Sequence, residues 1–193
     1  MRKFNLFIKR VIDLLGSVIG LIVLSPLLIL IAVSIKLTSK GPVFFRQERL
    51  GKDGKVFKII KFRTMVVNAE NLGSGLFVKS ESDSRITKVG KILRATSLDE
   101  LPQLFNVLSG KMSLVGPRPP VPHHPYEFEE YSEFQRKRFE MKPGMTGLAQ
   151  VTVRNSVPWD KRILKDVEYI ENFNVWLDIK IIFRTIKKIT KKE

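Results

Sequence analysis

From Leu14 to Ile35 the chain reads LLGSVIGLIVLSPLLILIAVSI, without one charged residue. As a straight helix this stretch is roughly 33 Å long, enough to cover the hydrocarbon core of a bilayer. Three readings compete: a secretory signal, a spanning helix, and a segment that enters and leaves on one side. The stretch is long for a signal, and Lys36-Leu37-Thr38-Ser39-Lys40 after it offers no small-residue cleavage site. The flanking charges bear on the other two. Arg2, Lys3, Lys9 and Arg10 precede the run, and Lys36, Lys40, Arg46 and Arg49 follow it. Lys and Arg mark the cytoplasmic side, so both ends call for the same side. Ser25-Pro26 sits at the middle. Pro26 has no N–H for the Ile22 carbonyl, and its ring crowds that turn. The Ser25 hydroxyl is placed to serve part of the broken backbone. A re-entrant helix-break-helix over residues 1–40 is therefore preferred to a kinked spanning helix, although spanning helices also tolerate proline.

Beyond this segment, 193 residues suit one domain with an appendage. Apolar residues make up 44%, enough for a core. Against 34 Lys and Arg stand 19 Asp and Glu, a net charge of +15 that calls for an anionic partner. Nucleic acid, an anionic membrane and phosphorylated substrates all qualify. The absence of cysteine removes disulfides, thiolate nucleophiles and Cys-type zinc sites. His123 and His124 are the two histidines, and adjacent positions rarely point at one metal.

The expected fold is α+β and mainly helical: a membrane-associated single domain with a small β-hairpin. Val43–Gln47 and Val56–Phe62 read as the hairpin strands around Gly51-Lys52-Asp53-Gly54. Asn71–Ser84 reads as a loop. Thr87–Arg94, Ser97–Leu108, Tyr126–Met141 and Lys161–Ile170 read as helices. Gly116–Pro125, with Pro117, Pro119, Pro120, Pro122 and Pro125, excludes regular structure. After Pro143-Gly144 and Gly147, Lys142–Asn155 ends in a short strand-like run. The expected division is 1–40 for the membrane segment, 41–175 for the catalytic domain, and 176–193 for a basic amphipathic helix. There Ile179, Ile182, Phe183, Ile186 and Ile189 oppose Lys180, Arg184, Lys187, Lys188 and Lys191. This pattern suits a helix lying in a membrane interface, or one packed on the core.

Three short runs carry the chemistry. In Ser97-Leu98-Asp99-Glu100-Leu101-Pro102, Ser97 and Glu100 are spaced as a capping box. The same acids at a helix start can instead be held ionised and serve as nucleophile or magnesium ligand. In Gly116-Pro117-Arg118-Pro119-Pro120 the prolines give Arg118 a stiff mount, suited to two phosphate oxygens or to a solvated loop. In Lys61-Phe62-Arg63-Thr64-Met65, Lys61 and Arg63 alternate on a strand and share one face, either solvated or turned to a diphosphate. Arg154-Asn155, Asp166 and Asp178 are further polar candidates.

Together these runs resemble the monotopic phosphoglycosyl transferases, or bacterial sugar transferases. The likeness continues through Ser113-Leu114-Val115, Lys142-Pro143-Gly144-Met145-Thr146-Gly147-Leu148-Ala149-Gln150-Val151 and Trp176-Leu177-Asp178-Ile179-Lys180. It covers nearly the whole chain and matches the short form, without the extra spanning helices of larger relatives. The resemblance implies a monotopic protein in the inner leaflet, on the cytoplasmic face of the bacterial inner membrane. It implies a Mg2+-dependent transfer of a sugar-1-phosphate from a UDP-sugar to undecaprenyl phosphate, releasing UMP, with downstream glycosyltransferases as partners. Asp99 would be the nucleophile that carries the phosphosugar and a Mg2+ ligand. Glu100 would be its general base or orienting acid. Arg118, held between Pro117 and Pro119, would grip a phosphate; Lys61, Arg63, Arg154 and Asp166 would complete the substrate site. Relatives usually carry Gly before the Arg-Asn pair, where this chain has Val153. The Pro120–Pro125 segment matches no family role, and is either a rigid rim or an aid to sugar choice. The rival reading is a non-enzymatic, membrane-tethered basic protein binding anionic lipid or nucleic acid. It gives no reason for Asp99-Glu100 beside a proline-framed Arg. Aromatics are not interleaved with basic residues as base stacking requires, so no nucleic acid is expected.

Overall fold

The computed structural model describes residues 2–72, 83–153 and 157–191. Arg154 and most of the expected 71–84 loop lie outside them. The described part is mainly helical with two small sheets. Helix α1 (Arg2–Thr38) runs unbroken through Pro26. Pro26 strips the Ile22 carbonyl of its usual donor, and the Ser25 hydroxyl supplies another at 2.8 Å.

Both ends of α1 are fixed to one body. At the N-terminal end Lys9 donates to the Val115 carbonyl at 2.8 Å and to Asp178 at 2.6 Å. Arg10 donates to the Val107 and Leu108 carbonyls, and Asp13 accepts from Ser113 and from the Leu114 N–H. Lys9, Asp13 and Ser17 recur every four residues and are buried on one face. Lys9 and Arg10, counted above as flank charges, thus bind protein groups. At the other end Ile31 and Ile35 pack with Phe62 and Leu93. The opposite side stays bare: Phe4, Phe7, Val11, Leu15, Val18, Ile22, Ile29 and Val33 form an exposed apolar stripe at helical spacing.

The hairpin is present. Strands β1 (Phe44–Leu50) and β2 (Val56–Phe62) pair antiparallel, with Phe45 opposite Lys61. Helix α2 (Lys88–Ala95) is capped by the Thr87 hydroxyl. The expected Ser97–Leu108 helix is split: a 3-10 turn at Leu98–Glu100 precedes α3 (Gln103–Leu108). Asn106 of α3 donates to the Lys58 carbonyl and accepts from the Ile60 N–H, docking α3 on the edge of β2 as a strand would.

A parallel pair follows, β3 (Ser113–Val115) beside β4 (Gly144–Thr146). A Cβ at Gly144 would strike the Gly116 backbone, so glycine lets the two chains touch there. The expected Tyr126–Met141 helix is instead a 3-10 turn at Phe128–Glu130, a one-turn α4 (Glu133–Arg136) and a 3-10 turn at Lys137–Phe139. Two successive capping boxes, Glu127 with Glu130 and Ser132 with Gln135, restart the helix. Tyr131 and Phe139 both enter the core with Ile163 and Val167. The strand-like run after Gly147 is helical, α5 (Leu148–Thr152), followed by α6 (Trp159–Glu171). In α7 (Val175–Lys191) Ile181 and Asp178 face inward, with Leu177 and Ile182 against the core. Trp176, Phe183 and Ile186 face outward, so the apolar residues divide between core and surface. The side chain of Ile189 lies outside the described part.

Candidate functional site

Four elements meet along one face of the hairpin. Strand β2 brings Lys61, the Leu98–Glu100 turn brings the two acids, the loop after β3 brings Arg118, and β1 brings Arg49. The capping box does not form. Ser97 sits at φ 56° in the left-handed region, and its side chain caps nothing. That non-glycine strain is tolerated where it aims the next residues. The Glu100 carboxylate is bound instead by Lys61 at 2.6 Å and Arg118 at 3.2 Å. Burial works against its charge, but Arg118 and Lys61 outweigh it and hold Glu100 down at about 2.

Asp99 has the opposite environment. Burial raises its pKa; Lys61 opposes this and Glu100 adds to it. The dipole-stabilised ionisation expected from the sequence is thus outweighed, because the helix starts later and Glu100 holds both cations. In protein without metal the Asp99 carboxyl therefore titrates above 3.8 and well after Glu100. Carboxyl 13C NMR across pH reads the pair directly. An Asp99 that ionises before Glu100 contradicts this electrostatic picture.

Asp99 lines a cleft of about 570 Å³ with Lys61, Arg46, Arg49 and Arg94. A smaller pocket beside it is lined by Arg49, Lys61, Glu100, Arg118 and Pro119, and a third by Arg118, Trp159, Arg162 and Asp166. Arg118 borders the second and third, and Trp159 the first and third. Arg118 is aimed from behind. Arg49 donates to the Pro119 carbonyl at 3.0 Å, and Arg138 to the Arg118 carbonyl at 2.9 Å.

Other predicted residues take different places. Arg63 borders the same cleft as Lys61, but its guanidinium is engaged elsewhere. Strand β2 ends at Phe62, and the Arg63 guanidinium turns to the Ser39, Lys40 and Pro42 carbonyls at 2.6–3.0 Å. It clamps the C-terminal end of α1, where unpaired carbonyls and the dipole favour a cation. Asp166 is 1% exposed and pairs at 2.6 Å with Arg138, itself 1% exposed. Burial pushes Asp166 up to about 6 against the pull of Arg138. Asp178 is buried between Lys9 and Tyr169. His123 pairs with Glu127, while His124 accepts from the Trp159 indole N–H at 3.1 Å. Arg49, Arg94, Arg138 and Trp159 escaped the sequence reading. The register that sets Phe45 opposite Lys61 puts Arg49 on Lys61's face of the hairpin, a signal available once the hairpin was assigned. Arg138 gave no local signal.

A family model described as bacterial sugar transferase matches residues 4–192. The chain belongs to the bacterial sugar transferase family. It is 46% identical over 97% of its length to the UDP-glucose:undecaprenyl-phosphate glucose-1-phosphate transferase of Klebsiella pneumoniae, covering 41% of that protein. It is 43% identical over 95% of its length to the Escherichia coli (strain K12) protein of the same name, covering 40% of it. It is also 40% identical over its whole length to the undecaprenyl-phosphate galactose phosphotransferase of Salmonella typhimurium, covering 42% of it. The chain thus spans about two-fifths of these curated relatives. In this bacterial sugar transferase Asp99 and Lys61 line the cleft, and Glu100 and Arg118 line the smaller pocket beside it.

Among the described residues no three His, Asp or Glu side chains gather to hold a metal ion. Asp99 faces the cleft without an ion-pair partner, whereas Glu100 is engaged twice. One free carboxylate fits Mg2+, which commonly takes one or two carboxylates and fills its shell with water and substrate phosphate.

Proposed function

We propose that the chain transfers a sugar-1-phosphate from a UDP-sugar to undecaprenyl phosphate, releasing UMP, on the cytoplasmic face of the bacterial inner membrane. The reading that follows is carried by one observation: two adjacent acids with opposite environments, Glu100 locked to Lys61 and Arg118, and Asp99 open to the cleft. An Asp99 oxygen attacks the phosphorus that bears the sugar. The bond from that phosphorus to the bridging oxygen breaks, and the electron pair leaves with UMP. An oxygen of the lipid phosphate then attacks the same phosphorus, and the bond to Asp99 breaks to return the carboxylate. Asp99 would hold Mg2+, which would supply charge neutralisation when bound. Glu100 keeps Lys61 and Arg118 in place, and the two cations offset phosphate charge where it develops. The raised pKa of Asp99 marks a basic, weakly solvated oxygen, suited to attack once ionised. Release of UMP from a UDP-sugar with Mg2+ and undecaprenyl phosphate tests the reaction. A panel of UDP-sugars that yields no UMP overturns it.

The membrane reading is that α1 enters and leaves the inner leaflet on one side. Its support is mechanical: Lys9, Arg10 and Asp13 bind one end to the body that Arg63 clamps to the other. A crossing helix would drag that body into the bilayer. The bare stripe from Phe4 to Val33 faces lipid, and Trp176 and Phe183 of α7, beside Lys180 and Arg184, suit the interface. The chain has no native cysteine, so Lys3→Cys and Lys40→Cys report topology cleanly. In intact cells both should resist a membrane-impermeant maleimide and react after lysis. Labelling of one but not the other before lysis would establish a crossing.

A further inference from the structure

The cleft beside Asp99 is lined in two kinds. Asp99 shares it with Lys61, Arg46, Arg49 and Arg94, and Lys61 and Arg94 are close enough to act on its charge. The same cleft is lined by Pro42, Phe44, Phe45, Val66 and Val67, with Phe45 directly across the hairpin from Lys61. These apolar side chains are open to solvent, Phe44 at 40% and Val67 at 47%. They are also firmly mounted. Phe44 stacks on Phe62 at 5.5 Å, and Phe62 packs on Ile31 and Ile35 of α1. The 65–72 segment is pinned by buried Arg85, which donates to the Ala69 and Leu72 carbonyls at 2.8 Å. A rigid apolar wall facing solvent, running from α1 to a cluster of cations, suits a ligand with a greasy tail and an anionic head. A nucleotide sugar has no such tail. The Arg118 side, where Arg162 and Trp159 also stand, is left for its anionic diphosphate.

We infer that the Phe44, Phe45, Val66 and Val67 wall seats the first isoprene units of the polyprenyl phosphate, with its phosphate held by Arg94 and Arg46 beside Asp99. This deepens the transferase reading and rests on it. The tail leaves the cleft along α1, past Gly41, so its remainder stays in the leaflet. The two substrates then approach Asp99 from different ends, the nucleotide sugar from the Arg118 side and the lipid from the α1 side. That arrangement lets UMP depart without passing the lipid.

The test uses the full chain in lipid nanodiscs and the double variant Val66→Thr, Val67→Thr. Threonine keeps the shape of valine and replaces one methyl by a hydroxyl, so folding is little disturbed. The KM for undecaprenyl phosphate should rise about tenfold, while the KM for the UDP-sugar stays within about twofold. Val56→Thr, on the same hairpin but outside the cleft, should shift neither. An unchanged lipid KM in the double variant, or an equal rise for both substrates, overturns the assignment while leaving the transferase reading intact. Failure of the unmodified protein to release UMP removes that reading and this one with it.

Discussion

Asp99→Asn should lower UMP release by about four orders of magnitude or more, and should abolish trapping of a labelled sugar phosphate on the protein. Asparagine matches aspartate in shape but has no carboxylate oxygen to form the bond to phosphorus. Glu100 cannot substitute, because both its cations hold it in the neighbouring pocket. The variant should fold at least as well as the parent. The folded state raises the pKa of Asp99, so at neutral pH it holds a charge that folding disfavours. The sign follows from proton binding. A carboxyl with a raised folded-state pKa stabilises the fold below that pKa and loses the benefit as pH rises through it. Removing the charge should therefore raise the melting temperature at pH 7 and leave it little changed below the ordinary aspartate value. Stability gained with activity lost is the mark of a group kept for chemistry. Normal turnover by purified Asp99→Asn, free of parent enzyme, would disprove the nucleophile assignment.

What the sequence revealed was mostly local. The apolar run announced α1, but its proline, read as a break, lies inside a continuous helix, where Ser25 serves the Ile22 carbonyl within one turn. The hairpin was legible from two β-rich runs around a glycine turn. The roles of the acids were not. Ser97 and Glu100 carry the spacing of a capping box, and only Lys61, 39 residues before Glu100, and Arg118, 18 residues after it, decide otherwise. The strand period placed Arg63 beside Lys61, but Arg63 follows the last residue of β2 and its guanidinium is drawn to the carbonyls at the end of α1. The 126–141 segment has the composition of a helix. It breaks at two capping boxes, Glu127 with Glu130 and Ser132 with Gln135, whose spacing is present in the sequence but is masked by the helical composition around it. Asp166 was singled out as a substrate contact, and its partner Arg138 was not singled out at all. Both are interior residues, and nothing within a turn of either announces the other.

That pair should give the largest loss of stability. Asp166→Ala leaves the Arg138 guanidinium buried without its counter-charge, which costs about 3–5 kcal/mol. Denaturant unfolding measures it. The double variant Arg138→Met, Asp166→Leu removes both charges, and should recover most of that loss or exceed the parent. Activity should part from stability here. Arg138 donates to Asp166 and to the Arg118 carbonyl from the same nitrogen. Methionine cannot hold that carbonyl, so the refolded double variant should remain about a hundredfold down in kcat/KM, through a loosened Arg118. If the double variant regains both stability and activity, Arg138 and Asp166 are interior packing and the Arg118 loop is aimed by Arg49 and its prolines alone. If it regains stability only, the buried ion pair is retained because it positions the phosphate-gripping arginine, even though an apolar pair would fold as well.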